Sequence, residues 1–211
     1  MKVLLETQYL PSVAYFVLLA HAEEVYLEAH ELFEKQTFRN RCEILGANGV
    51  QRLTVPVHSA NSKNRIQKVV IDHQQKWVNN HWRSIQSAYG KAPFFDYYAE
   101  YLKAELFKPH ESLFNLNRSL LTLCLKLINL QIKINLTEKY ELKPSEDIFD
   151  GRSMVHSKKS LETLTWFRPT SYYQIFGKNF APNLSILDLL FCMGPDTLMV
   201  LRQSGVFLKN K

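Results

Sequence analysis

The spacing of apolar residues divides the chain into a first third that reads mainly as strands and a remainder that reads mainly as helices. "KVLLE" (2–6) is short and β-compatible, and "EVYLEA" (24–29) is a second strand. Between them Val13, Phe16, Val17 and Ala20 recur at helical spacing over 12–22, with Pro11 suited to the first turn. A strand–helix–strand of this length predicts parallel strands and a right-handed crossover. "RCEILG" (41–46) and "VQRLTVPV" (50–57) flank "ANG" (47–49), which predicts a hairpin. "SANSKN" (59–64) is a polar loop and "RIQKVVID" (65–72) a further strand, so the sheet is expected to be mixed.

From position 72 the period turns helical. Asp72 and Gln75 resemble a capping box, and the helix is expected to run to about 89 and stop at Gly90. A second helix follows Pro93 to about 107, and a third covers about 111–134. The polar stretch 137–160 is a long connection, a lid or a plain surface loop. "PNLSILDLLFCMGPDTLMVLRQSG" (182–205) predicts two helices broken at Gly194-Pro195. The expected fold class is therefore α/β: an N-terminal strand–helix–strand and mixed β-sheet, then a mainly helical C-terminal half. At 211 residues one domain is expected, with a sheet part (1–72), a helical part (73–136), the connection (137–160) and terminal helices (161–211).

Composition adds three constraints. The chain is 46% hydrophobic, enough for a full core rather than a disordered segment. A net charge of +6 favours anionic partners: phosphates, nucleic acid, acidic sugars or a membrane surface. Basic residues are spread out and no recognition motif occurs, so nucleic acid is not expected; an anionic or sugar small molecule is. Three cysteines, Cys42, Cys124 and Cys192, form no Cys-x-x-Cys, which fits a reducing, cytoplasmic setting better than a disulfide framework. No secretory leader or membrane span is expected: "VAYFVLLA" is too short, and 119–136 carries Lys126 and Lys133. The seven histidines are scattered, so no metal site is expected, and no cofactor fingerprint is present.

Four polar clusters remain as candidates. On a helical wheel His81 falls with Trp77, Ile85 and Ala88 inside the apolar stripe, flanked by Val78, Trp82 and Tyr89. It is either a hydrogen-bonded core histidine or a general base at the lip of a pocket. In "FEKQTFRNR" (33–41), Lys35, Thr37, Arg39 and Arg41 would share one face if extended, either a solvated face or a cationic strip for phosphate or carboxylate. "TQYLPS" (7–12) leaves the first strand, where ligands gather in open α/β sheets, so Gln8 either faces a ligand or sits in a plain loop. Asp188 either faces water near a helix start or orients His81 or Arg41 across the core.

The segments "QYLPSVAYF" (8–16), "FEKQTFRNR" (33–41), "NGVQRLTVPV" (48–57), "HWRSIQSAYGKAPFF" (81–95) and "PNLSILDLLFCMGP" (182–195) together resemble the WbqC-like protein family, in its order and over nearly the whole chain. The chain departs from the family pattern at the start: Thr7 precedes Gln8 where the family has Gln-Pro before its Tyr-Leu-Pro, and Ala14 replaces a glycine. The resemblance implies a place in bacterial O-antigen and surface-polysaccharide biosynthesis. It also tilts Gln8, Tyr9, Lys35, Asn40, Arg41, His81, Trp82 and Asp188, which fall in its motifs, toward function. The opening elements are more distantly similar to nucleotidyltransferase-type folds, without their His-x-Gly-His.

Two expectations follow. One is a transferase moving an acyl or aminoacyl group on an activated sugar or amino sugar. There His81 is the base, Arg41 and Lys35 hold an anion, Gln8 and Asn40 orient the acceptor, Tyr9 and Trp82 line the pocket, and Asp188 orients a base or an arginine. The other is a non-catalytic binding or assembly protein using Tyr97, Tyr98, Tyr101 and Phe107 as contact surface. If His81 and Arg41 line one concave pocket, the transferase gains; if His81 is sealed in the core and these aromatics are exposed as a patch, the binding protein gains.

Overall fold

The structure, a computed structural model, describes residues 1–58 and 64–206. Strand β1 (Lys2–Glu6) pairs in parallel with β2 (Glu24–Glu28) through helix α1 (Val13–His21), as the periodicity predicts. Every side chain from Val13 to Leu19 is buried. A helix apolar all round belongs inside a core. Each such large side chain contributes roughly 1.5–3 kcal/mol, which holds a helix too short to stand alone. Its first turn is capped from far away: Asn183 Oδ1 accepts from the Ala14 amide at 2.8 Å.

The hairpin is present as β3 (Arg41–Gly46) and β4 (Gly49–Thr54), with Gly46 opposite Gly49 and Gly49 at φ 102°. The helical half consists of α2 (Trp77–Tyr89), α3 (Phe95–Leu106) and α4 (Leu113–Leu127), then α5 (Ile186–Met193) and α6 (Thr197–Gln203). Gly194, at φ 52°, lies so near Phe94 that a Cβ there would sit 2.4 Å from its ring.

The parallel and antiparallel pairings separate into two sheets. β3 and β4 stand alone, while β5 (Lys133–Leu136) and β6 (Ile148–Asp150) extend the parallel sheet to the order β5-β2-β1-β6. Both added strands lie where the sequence predicts other structure. The helix expected to reach 134 stops at Leu127, and Asn129 turns the chain at φ 54°. The connection 137–160 contains β6. The strand expected over 65–72 is a 3₁₀ turn, Ile66–Lys68, with isolated bridges. Its buried residues, Ile66, Val69 and Ile71, do not alternate, so no single pleated face could bury them. Asp72 caps the turn before α2, accepting from the Gln74 amide and the Gln75 side chain, and α2 itself begins at Trp77. Of the loop 59–64, all but Asn64 lies outside the described residues.

Two hydrophobic cores result. One joins the hairpin to α2, α3 and the start of α4; the other joins the parallel sheet to α1, α6 and the end of α4. Helix α5 faces both, with Leu187 and Phe191 in the first and Ile186, Leu189 and Leu190 in the second. Among the described residues no helix is long and apolar enough to cross a membrane.

Candidate functional site

In the order β5-β2-β1-β6 the chain builds outward from β1 on one side, then returns to its other side. Open α/β sheets bind ligands at the carboxyl ends of the strands where such a reversal occurs. Here those ends carry charge. β1 ends at Glu6, β2 at Glu28 and β6 at Asp150, and Glu6 and Glu28 are buried.

Each buried carboxylate has specific donors. Glu6 accepts from the Gln8 side-chain amide and from the Ser153 backbone amide, both at 2.9 Å. Glu28 accepts from the Thr137 hydroxyl at 2.9 Å, the His30 amide at 2.8 Å and the Arg152 guanidinium at 3.1 Å. Arg152 also donates to both Asp150 oxygens and lies 5.0 Å from the Tyr140 ring centroid. Gly151, just before it, packs against β1 so tightly that a Cβ would meet Leu5 at 2.7 Å. Glu31, on the loop after β2, takes both oxygens to one partner: Arg39 Nε donates to Oε1 at 3.0 Å, and Arg39 Nη2 to Oε2. Burial drives the Glu31 carboxyl up to about 7 against the pull of Arg39, and the Glu6 and Glu28 charges push the same way. Burial opposes the Arg39 charge, but Glu31, Glu6 and Glu34 together hold the guanidinium firmly protonated.

Beside these groups opens a cavity of about 430 Å³ whose wall includes His30, Glu31, Arg39, Arg65, Tyr140 and Arg152. Arg65 is exposed and donates to the His30 carbonyl at 3.3 Å. Three guanidinium groups border one concavity; Arg39 and Arg152 already hold carboxylates, so an oxyanion could be held there by Arg65 and by displacing a carboxylate from its arginine.

Of the residues chosen from the sequence, Gln8 reaches this crevice, joining Glu6 to the Val155 carbonyl. Its Oε1 and the neighbouring Thr7 hydroxyl are buried and find no partner among the described residues. Tyr9 and His81 come together elsewhere, under the hairpin: the Tyr9 hydroxyl lies 2.9 Å from His81 Nδ1, and Trp77 meets the imidazole edge-on at 5.2 Å. Burial pulls His81 down to about 4, only partly offset by a hydrogen bond to the Thr54 backbone. The Tyr9 hydroxyl and His81 Nδ1 share one hydrogen bond, whose direction follows the imidazole tautomer.

The other chosen residues are dispersed. Asp188 Oδ2 accepts from the Tyr172 hydroxyl at 2.7 Å and the Gln174 amide at 2.8 Å, so these groups, rather than His81 or Arg41, are its partners. Burial raises its carboxyl in spite of them. Asn40 holds the Val55 carbonyl at 3.0 Å. Trp82 stacks on Phe95 with the Lys103 ammonium 5.7 Å from its ring. Lys35 is exposed, and Arg41 is half-buried at the start of β3 beside Arg52. The cationic strip expected along 35–41 does not form. Residues 37–40 turn instead of extending, which sends Arg39 inward to Glu31 while Arg41 joins the hairpin. Sequence reasoning passed over Glu31, Arg65 and Arg152. Glu31 and Arg152 each fall just past a short apolar stretch, the one signal available, whereas Arg65 follows a polar loop and carried none. Among the described residues no group of His, Cys, Asp and Glu is arranged to hold a metal ion.

Fold and crevice together define an α/β protein with an arginine-lined cavity at the carboxyl ends of a parallel sheet. The chain belongs to the WbqC-like protein family, whose pattern it matches over residues 7–160 and 144–200. It is 29% identical over 227 residues to an uncharacterized protein of Mycobacterium tuberculosis, Rv1507c, an alignment covering 95% of this chain and 98% of the relative. No solved structure matches it.

Proposed function

We propose that this protein is a transferase acting on an activated sugar or amino sugar in bacterial surface-polysaccharide biosynthesis, moving an acyl or aminoacyl group, with the donor's anionic part in the arginine-lined cavity. Membership in the family suggests the polysaccharide role. The observation that carries the reading is the position of Arg39, Arg65 and Arg152 around one cavity at the strand ends. They take the anion-holding part first expected of Lys35 and Arg41. Gln8 is not on the cavity wall; in this reading it acts from behind, by holding Glu6. His81, sealed at 5% exposure and neutral at pH 7, braces the Tyr9 loop in this reading. The three buried, unbonded cysteines support a reducing, cytoplasmic setting.

The test is a thermal-shift screen against nucleotide sugars, free sugars, nucleotides and acyl or aminoacyl donors. A ligand at a hundred times its Kd adds about 2.7 kcal/mol, a rise of roughly 5–10 °C for a chain of this size. The expected result is a shift with one donor class that Arg65→Ala cuts to about half or less, the mark of an affinity at least tenfold weaker. No shift with any of them would retire the reading.

Two observations favour a binding protein instead: His81 is sealed in the core, and aromatic side chains of the α3 region are exposed. Tyr97 and Tyr101, one turn apart on α3, are 70% and 60% exposed, with Phe107 nearby in sequence also exposed. In that reading this face docks a partner, and double substitution to serine abolishes complex formation while leaving ligand shifts intact.

A further inference from the structure

The crevice is out of electrical balance. Three buried carboxylates, Glu6, Glu28 and Glu31, face one buried guanidinium, Arg39, and one half-buried, Arg152. Arg152 is further claimed by Asp150. Glu6 and Glu28 each hold two or more donors on separate parts of the chain. Among the described residues Glu31 alone depends on a single partner, and it shares that partner with the cavity wall. A doubly charged oxyanion reaching Arg39 would meet the Glu31 carboxylate at contact distance. Like charges in a low-dielectric site do not both stay ionised.

We propose that a dianionic oxyanion of the phosphate or sulfate class binds this cavity by replacing Glu31 on the Arg39 fork, and that one proton is taken up onto Glu31 as it does so. The inference rests on the reading that the cavity takes the donor's anionic part. The balance is simple: the anion's two charges enter, Glu31 gives up one by gaining a proton from solvent, and the arginines stay charged. Burial supports it, since the Glu31 carboxyl is already raised to about 7. The charged and titratable groups facing the pair are Glu6 from β1, Tyr15 from α1, Glu28 from β2, His30, Glu34 and Arg39 from the following loop, Arg65, and Tyr140 and Arg152 from the β5–β6 side.

The probe is sulfate, whose charge is constant from pH 6 to 8, titrated calorimetrically into the full chain in two sulfate-free buffers of different ionisation enthalpy. Linkage predicts a Kd about tenfold weaker at pH 8 than at pH 6, with close to one proton taken up per sulfate at pH 8. Glu31→Gln should bind at pH 8 as the unaltered chain does at pH 6, with no proton uptake. His30→Asn should keep the dependence. Should Glu31→Gln not fold, the proton count and His30→Asn still decide. A parallel titration with uridine diphosphate at pH 8 separates sources: binding tenfold tighter than sulfate supports exchange by a nucleotide donor's phosphoryl end, equal affinity exchange by a free oxyanion. Sulfate binding with equal Kd at both pH values and no proton uptake would overturn the exchange and leave the cavity reading standing. Loss of the dependence in His30→Asn would overturn it too. No saturable sulfate binding would remove both.

Discussion

Gln8 and Tyr9 are neighbours in sequence, yet they enter two opposite kinds of buried polar site. Gln8 joins a charged crevice in which carboxylates and guanidinium groups border an open cavity. Tyr9 joins a closed, neutral cluster in which hydroxyl, imidazole and backbone satisfy one another against the Trp77 ring. The contrast shows what burial does to ionisable side chains. It drives His81 toward its neutral form and Glu31 toward its own, and only the second sits where an arriving charge could use the difference.

The comparison breaks most severely at Arg152. Arg152→Ala leaves Glu28 buried without its cation, and a loss of about 3–5 kcal/mol is expected in urea unfolding. The next effect is one of pH. Glu31 moves from 4.5 to about 7 on folding, so the folded state holds the extra proton, and its contribution is present below 4.5 and lost as pH rises through 7. His81 moves from 6.5 to about 4, so the unfolded state holds the extra proton, and stability is lost as pH falls from 6.5 toward 4. Across pH 4.5–6.5 the two slopes oppose each other. Glu31→Gln should therefore leave stability rising with pH there by up to about 1.4 kcal/mol per unit, whereas His81→Gln should leave it falling. Parallel slopes in the two variants would show that the two sites do not differ as described. Tyr9→Phe removes the hydrogen-bond partner of His81 Nδ1 and is expected to cost about 1–3 kcal/mol, with ligand shifts unchanged. The smallest effect belongs to Lys35→Ala: on an exposed loop, it should move unfolding by less than about 0.5 kcal/mol.

Local sequence made β1, α1, β2, the hairpin and the helices legible: α2, α3 and α4 display an apolar stripe, α1 and β1 short apolar runs, and the hairpin its Asn-Gly turn. β5 and β6 were not legible. Each is too short to show alternation, and each is a strand only because β2 or β1 offers it an edge. The candidate site divides the same way. The wheel put His81 inside the apolar stripe, and it is buried there, but its partner is 72 positions away. Gln8 was found from its place after a strand, a local clue. Arg152 and Glu28 meet across 124 positions, and nothing near either residue announces the other. Asp188 was noticed for its apolar neighbours, while Tyr172 and Gln174, which hold it, lie in a stretch without regular pattern.

Helix α4 gives Leu113, Phe114 and Leu116 to the core under the hairpin and Leu121, Cys124 and Leu125 to the core under the parallel sheet. It works as a shared axle. Neither half can come apart without pulling the same helix from the other, so the chain should melt as one cooperative unit, with no surviving half-structure between folded and unfolded.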